Sequence, residues 1–444
     1  MSKPNIAFVV LDTVRKDYFN EYFEWLPGQY FERAYAPSYW TVPVHASLFT
    51  GQYPSEIAVH AKSPQFDCDE PGIAEVLSKA DYTTRAFSNN VNVSQRNDFH
   101  HGFDQFTGSW RLNPVDPDVD MFNWGKFTSD TAGEGLSRYV RAIWRIFRDD
   151  CDTFHSLRRG IRLKLGDIGI GNHADDGARE TRDWVRSTEF DTEGEFLFIN
   201  LMEAHAPYTP PRNYRSVKSQ SIDGIMATVT EPSGDPSAIR QSYGDSVRYL
   251  ADIYRDIHEA LREDFDYVFT FADHGEMLGN HGAWGHVYGL YPELIHVPLS
   301  VWGPDCSGES SETVSLLDVH QTALDLADAD GSSRGRNLFD PSEEIKVLTE
   351  YHGLYPQHRE SLLEAGKSDV VRSLENPLNG IVLPEFYGYE SRHGWLVEPE
   401  SVQPTVDPQA ELRSLRESVP WEEFEERSEI SEDVRAQLEE LGYA

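Results

Sequence analysis

Short, almost unbroken apolar runs alternate along this chain with longer stretches whose apolar residues recur at helical spacing. The runs are Ile6–Leu11, Phe196–Leu201, Tyr267–Phe271 and Pro298–Trp302, and the more polar Thr83–Phe87 is a further candidate strand. Continuous apolar character over so few residues suits strands buried on both faces. Helical patterns lie between them, at Ala46–Phe49, Ile73–Ala80, Ala178–Val185, Ser242–Leu261 and Val314–Leu326. In Ser242–Leu261 the apolar side is Val247, Leu250, Ile253, Tyr254, Ile257 and Leu261. This alternation predicts an α/β fold, a mostly parallel sheet sandwiched by helices. After residue 330 the pattern changes. Ile345–Thr349 and Gly394–Val397 read as strands of a smaller, partly antiparallel α+β unit, and Trp421–Leu441 as a charged helix. Residues 1–330 are therefore expected to form the main domain and 331–444 a C-terminal subdomain. The segment 110–175 reads as an insertion or cap, with Pro114–Thr131 rich in Asp, Gly and Pro.

Composition narrows the function. With 444 residues, 39% hydrophobic and 12% aromatic, the chain can build a large core. A formal charge of −36 and a pI near 4.7 exclude a nucleic-acid binder, because the summed field repels phosphate backbones. Acidic residues are spread along the whole chain, and such a surface stays hydrated at high salt, so a salt-loving source is expected. The three cysteines, Cys68, Cys151 and Cys306, are widely spaced and suggest neither a disulfide framework nor a zinc ribbon. No apolar run has membrane-spanning length, and Ile6–Leu11 ends in Asp12 without a small-residue cleavage site. A cytoplasmic protein is expected. Arg138–Lys164 is basic, with Arg138, Arg141, Arg145 and Arg148 interleaved with Val140, Ile143, Trp144 and Phe147. It reads either as a surface that meets a membrane or an anionic substrate, or as a cap helix packed on the core; the packed alternative is preferred.

Three of the apolar runs end in ionisable residues. Ile6–Leu11 ends in Asp12, Phe196–Leu201 in Glu203 and His205, and Tyr267–Phe271 in Asp273 and His274. Ligands of open α/β sheets collect at the carboxyl ends of the strands, so the three endings should meet in one crevice. A glycine-rich loop with His281 and His286 comes next. A fourth segment runs from Ser38 to Gly51. Pro43 suits the first turn of a helix and Gly51 its stop, which puts Thr41 at the N-terminus, where free N–H groups favour an anion. Thr41 is either a plain N-cap or, beside a metal, a nucleophile.

The ordered set of segments resembles the sulfatase branch of the alkaline phosphatase superfamily. Thr41-Val42-Pro43-Val44-His45 followed by Ala46–Gly51 resembles the signature Cys/Ser-x-Pro-Ser-Arg with its trailing Leu-x-Thr-Gly. Leu11–Arg15 resembles the first metal-binding strand and Glu203–Tyr208 the His-x-Pro-Tyr segment. Asp273–Glu276, with Leu290–Glu293 and Val297–Leu299, resembles the second metal motif and the segment after it. Leu438–Tyr443 resembles a frequent ending of such chains. The departures are specific. Position 41 is threonine, whose Cβ methyl prevents oxidation to the formylglycine aldehyde of sulfatases, and threonine nucleophiles are familiar in phosphoryl-transferring relatives. His45 replaces the signature arginine, and Thr13 replaces the usual second aspartate.

The resemblance implies a catalytic domain that cleaves or transfers phosphate mono- or diesters, or sulfate esters, through Thr41. Asp12, Asp273 and His274, with the Thr41 oxygen, are expected to hold one divalent metal. Carboxylates with a single imidazole suit Mn²⁺, Mg²⁺ or Ca²⁺, with Zn²⁺ also compatible. The metal would lower the pKa of Thr41. His205 and His286 are expected to bind the equatorial oxygens or protonate the leaving oxygen, His45 to orient Thr41 or the anion, and Asn90 to touch substrate. Glu203 is either a ligand of a second metal or a strand-end structural group, and His281 a supporting or an ordinary loop residue. Expected substrates are anionic small molecules, glycans or lipid esters. Two alternatives stand beside this reading: a true sulfatase using unmodified threonine, and a non-catalytic binder of an anionic glycan or lipid.

Overall fold

The computed structural model describes residues 3–109, 111–112, 137–148, 153, 157, 175–218, 222–232, 234–340 and 345–421. Most of the 110–175 segment, the basic stretch beyond Arg148 and the chain end after Trp421 lie outside them. The strands in chain order are β1 (Ile6–Leu11), β2 (Gln29–Tyr35), β3 (Thr83–Ser88), β4 (Gln105–Gly108), β5 (Glu195–Leu201), β6 (Tyr267–Phe271), β7 (Met277–Leu278), β8 (Trp284–Gly285), β9 (His296–Val297), β10 (Leu299–Trp302) and β11 (Gly308–Ser315). β7 and β8 pair only with each other. The other nine form one sheet in the order β11-β2-β10-β6-β1-β5-β3-β4, with β9 also on β2.

The stretch β6-β1-β5-β3-β4 is parallel throughout, as the buried runs predict. β10 joins it antiparallel to β6. β1 is central: Phe8 lies beside Phe198 of β5 and Phe269 of β6, and all six residues of β1 are buried. The Phe8 ring meets those of Phe196, Phe269 and Phe271 edge-on. Burying each such side chain is worth roughly 1.5–3 kcal/mol. This register aligns the ends of three strands. Leu11 pairs with Leu201, and Val10 with Phe271, so the residues beyond them emerge at one edge.

Helix Thr41–Thr50 lies wholly buried, and Gly51 ends it in the left-handed conformation at φ 71°. Helix Pro236–Asp264 starts at Asp235, whose side chain accepts from Ser237 N. The helix expected from Val314 starts instead at Leu316. Val314 and Ser315 close β11, and Ser315 and Asp318 form a capping box. A second, fully antiparallel sheet comprises β12 (Val347–Tyr351), β13 (Leu378–Val382), β14 (Tyr387–Ser391) and β15 (Gly394–Glu398). It touches the Thr41 region, where Ser38 Oγ donates to Glu350 O and Tyr39 Oη to Gly353 O.

The basic segment is helical over Ser137–Arg148. Ala142 and Ile146 are buried, while Ile143, Trp144, Arg141, Arg145 and Arg148 are exposed, so one narrow side is packed. The Arg148 guanidinium lies 4.8 Å from the Trp144 ring centroid. No described helix is long and apolar enough to cross a membrane.

Candidate functional site

Asp12, immediately after β1, and Asp273, two residues after β6, emerge side by side. Asp12, Asp273 and His274 each offer a ligand atom, and these atoms all lie within 4.8 Å of one another. All three residues are buried. Asp12 Oδ1 and Asp273 Oδ2 accept no hydrogen bond. Their other oxygens are occupied: Asp12 Oδ2 accepts from Asn90 (2.7 Å) and Asn200 (3.3 Å), and Asp273 Oδ1 from the N–H groups of His274 (2.9 Å) and Thr13 (3.3 Å). Thr13 presents its N–H from the left-handed region, at φ 60°, an uncommon place for a β-branched residue. Burial raises the Asp12 carboxyl to about 6. Burial, and then the neighbouring Asp12 charge, raises Asp273 well above the carboxylate range. Two carboxylates with orphaned oxygens in a dry site repel each other unless a cation sits between them. The residues therefore fit a divalent metal.

The histidine tautomers support this fit. His274 Nδ1–H donates to Gly275 O (2.8 Å), which leaves the Nε2 lone pair facing Asp273 Oδ2 at 3.4 Å and Thr41 Oγ1 at 3.3 Å. Burial lowers its pKa well below the usual histidine value, as a neutral ligand requires. Thr41 is the first residue of its helix. Trp40 occupies the N-cap, so the hydroxyl of Thr41 is not spent on capping. His45, one turn on, donates from Nδ1 to Thr41 O (2.8 Å) and accepts at Nε2 from Asn200 (3.3 Å). Its Nδ1 is 3.6 Å from Asp273 Oδ2, and burial lowers it to about 4. Geometrically it braces the helix tip against the carboxylates.

His205 and His286 complete the cluster. Their rings are 5.1 Å apart, and His286 is 4.6 Å from the His274 ring. His286 Nδ1–H donates to Glu276 Oε1 (3.1 Å), whose Oε2 accepts from Tyr208 Oη (2.9 Å). Although burial opposes it, the Glu276 carboxylate raises the pKa of His286. Burial, then His286, lowers His205 well below the usual value.

The cluster thus unites Asp12, Thr41, His45, Asn90, His205, Asp273, His274 and His286. Asn90 spends its amide N–H on Asp12. His281 stands apart, 3.4 Å from Glu293 and stacked on Tyr291. Glu203 accepts from Ala178 N (2.7 Å) at the start of helix Ala178–Ser187. The sequence reading missed Asn200, Tyr208 and Glu276 as site residues. Asn200 carried a signal, a lone amide inside the apolar strand Phe196–Leu201.

A family model described as Sulfatase matches residues 4–329. A low-salt glycan biosynthesis sulfotransferase of Haloferax volcanii is 34% identical over 113 residues, 23% of this chain and 26% of that protein. The choline-sulfatase of Rhizobium meliloti is 24% identical over 323 residues, 67% of this chain and 60% of that protein. Both matches thus span less than two thirds of the relative. Among solved structures, a phosphonate monoester hydrolase from Silicibacter pomeroyi superposes with a TM-score of 0.59 at 17% identity, covering 94% of each chain, a likeness of fold.

Proposed function

Because this chain belongs to the sulfatase family, we propose that it is a metal-dependent enzyme that removes a phosphoryl or sulfuryl group from an ester through Thr41. The observation that carries this reading is the Thr41 hydroxyl, free of capping duty and 3.3 Å from a histidine of the Asp12–Asp273–His274 group. Asp12, Asp273 and His274 would hold the metal, with Thr41 Oγ1 beside them. When bound, a divalent cation supplies positive charge against the anionic group being transferred. The donor set, two carboxylates and one imidazole, suits Mn²⁺, Mg²⁺ or Ca²⁺, with Zn²⁺ compatible.

Thr41 Oγ1 attacks phosphorus or sulfur in line after its hydroxyl proton has passed to water, a loss that a bound divalent cation would favour. The bond from Oγ1 forms as the ester oxygen departs. His205 and His286 bind the equatorial oxygens or protonate that oxygen. His45 holds the backbone of Thr41 through its carbonyl. Water or a second alcohol then takes the group from Thr41, giving hydrolysis or transfer. Anionic small-molecule, glycan or lipid esters are the proposed substrates; the Haloferax volcanii relative is named for glycan biosynthesis.

A panel of aryl phosphate, phosphodiester, phosphonate and sulfate esters, each with added Mn²⁺, Mg²⁺, Ca²⁺ and Zn²⁺, tests the proposal. The expected result is metal-dependent turnover of at least one class. Sulfate turnover alone would favour a sulfatase that uses unmodified threonine. No turnover of any ester, with intact metal binding, would favour the non-catalytic alternative.

Glu276 should matter through His286. Its Gln variant keeps the shape but removes the countercharge, and turnover should fall by about 10²-fold, within what a positioned imidazole contributes. Adding Glu276→Gln to His286→Ala should cost little more, because the two act as one unit. Multiplying losses in the double variant would show that Glu276 works elsewhere.

A further inference from the structure

A second group of metal-ligand side chains lies outside this site, on the turn that leads into β4. Asp98, His100 and His101 each offer a ligand atom, and these atoms all lie within 4.8 Å of one another. The backbone enforces the proximity. Asp98 follows the short 3₁₀ helix Gln95–Asn97 in the left-handed region, at φ 64°. His101 N then donates back to Asp98 O (3.3 Å), closing a four-residue turn that brings positions 98, 100 and 101 to one side. The imidazole rings of His100 and His101 lie 4.4 Å apart at 68°. His101 Nε2 is 3.6 Å from Asp98 Oδ1. His100 Nδ1 is buried and has no hydrogen-bond partner.

The turn is fixed from below by Phe99, which is fully buried. Its ring stacks on Phe66 at 4.9 Å and meets Phe49 at 5.7 Å and His45 at 6.4 Å. Phe49 and His45 belong to the helix that carries Thr41. A ligand that ties the turn together therefore also fixes the packing behind that helix.

We propose that Asp98, His100 and His101 form a second metal site, one for a borderline transition-series divalent cation such as Zn²⁺ or Ni²⁺. Two imidazoles with one carboxylate favour such ions over the hard cations that the oxygen-rich inner site suits. His101 is 61% exposed at its side chain and Asp98 40%, so water would fill the remaining coordination positions. The role we assign the ion is that of a staple under the Thr41 helix, with no part in the bond-breaking step. The inference stands independently of the ester-cleavage reading.

Equilibrium dialysis of chelator-stripped full-length protein against Zn²⁺, with metal counted by elemental analysis, tests it. The wild type should hold about two zinc ions per chain, and the His100→Ala/His101→Ala double variant about one. Asp273→Ala should also retain about one, held by the turn. Asp98→Asn keeps a residue tolerated in the left-handed region and should weaken the outer site by at least about tenfold. Equal zinc content in the wild type and the histidine double variant would overturn the proposal, as would loss of all zinc from Asp273→Ala.

Discussion

Thr41→Ala should lower turnover by at least ~10³-fold while leaving the metal content at the wild-type level. The substitution removes one hydroxyl and one methyl from the first residue of a buried helix whose N-cap is Trp40. No capping bond is lost with it, and no capping penalty is expected. The inner ligands Asp12, Asp273 and His274 remain, which is why metal content and turnover should separate. Thr41→Ser supplies the control, because it restores an oxygen at the same position and should recover most of the rate. Full activity in Thr41→Ala would end the nucleophile assignment. Loss of the metal together with the rate would recast Thr41 as a ligand first.

The sequence disclosed the site better than it disclosed the sheet. β1 is an uninterrupted apolar run, and β5 and β6 are largely apolar and buried, so they and the acids that follow them were legible from residue type alone. β2 and β11 were not. Gln29–Tyr35 and Gly308–Ser315 carry charged and hydroxylated residues because they lie towards the sheet's edge, where one face or one end meets solvent. Their pairing is decided by tertiary contact, which no local pattern encodes. The same distinction runs through the site. Thr41 and Gly51 announced a helix through its end signals. Asn200 reaches Asp12 from another strand, and Glu276 meets His286 across the loop between them, meetings that only the fold makes visible. Thr13 shows the converse. Read as a missing carboxylate, it proves to hold Asp273 in place through its backbone N–H.

Asp273→Ala should abolish metal binding at the inner site and turnover with it, and it should change how the metal-stripped protein responds to pH. In the folded chain burial raises Asp12 to about 6, and burial with the Asp12 charge raises Asp273 well above its ordinary range. Between the ordinary carboxylate value near 4 and these raised values, the folded state binds more protons than the unfolded state. The contribution of this pair to the stability of the stripped wild type therefore falls as pH rises from about 4 through 6 and beyond, since the two carboxylates ionise against each other in a dry site, while buried histidines such as His258, His296 and His320, lowered to about 4, contribute in the opposite sense in both proteins. A cation should remove that loss by binding the ionised pair, so stability at pH 7 should rise on adding metal. In Asp273→Ala the partner charge is gone, and Asp12 alone keeps a smaller shift due to burial. Relative to the stripped wild type, its stripped form should gain stability between pH 5 and pH 7, and it should show no stabilisation from the inner-site metal. Denaturant unfolding of both proteins at pH 5 and pH 7, with and without added Mn²⁺, reads all of this. A stripped Asp273→Ala variant that gains no stability relative to the stripped wild type between pH 5 and pH 7, or one that Mn²⁺ stabilises as strongly as wild type, would mean that these carboxylates do not share a cation.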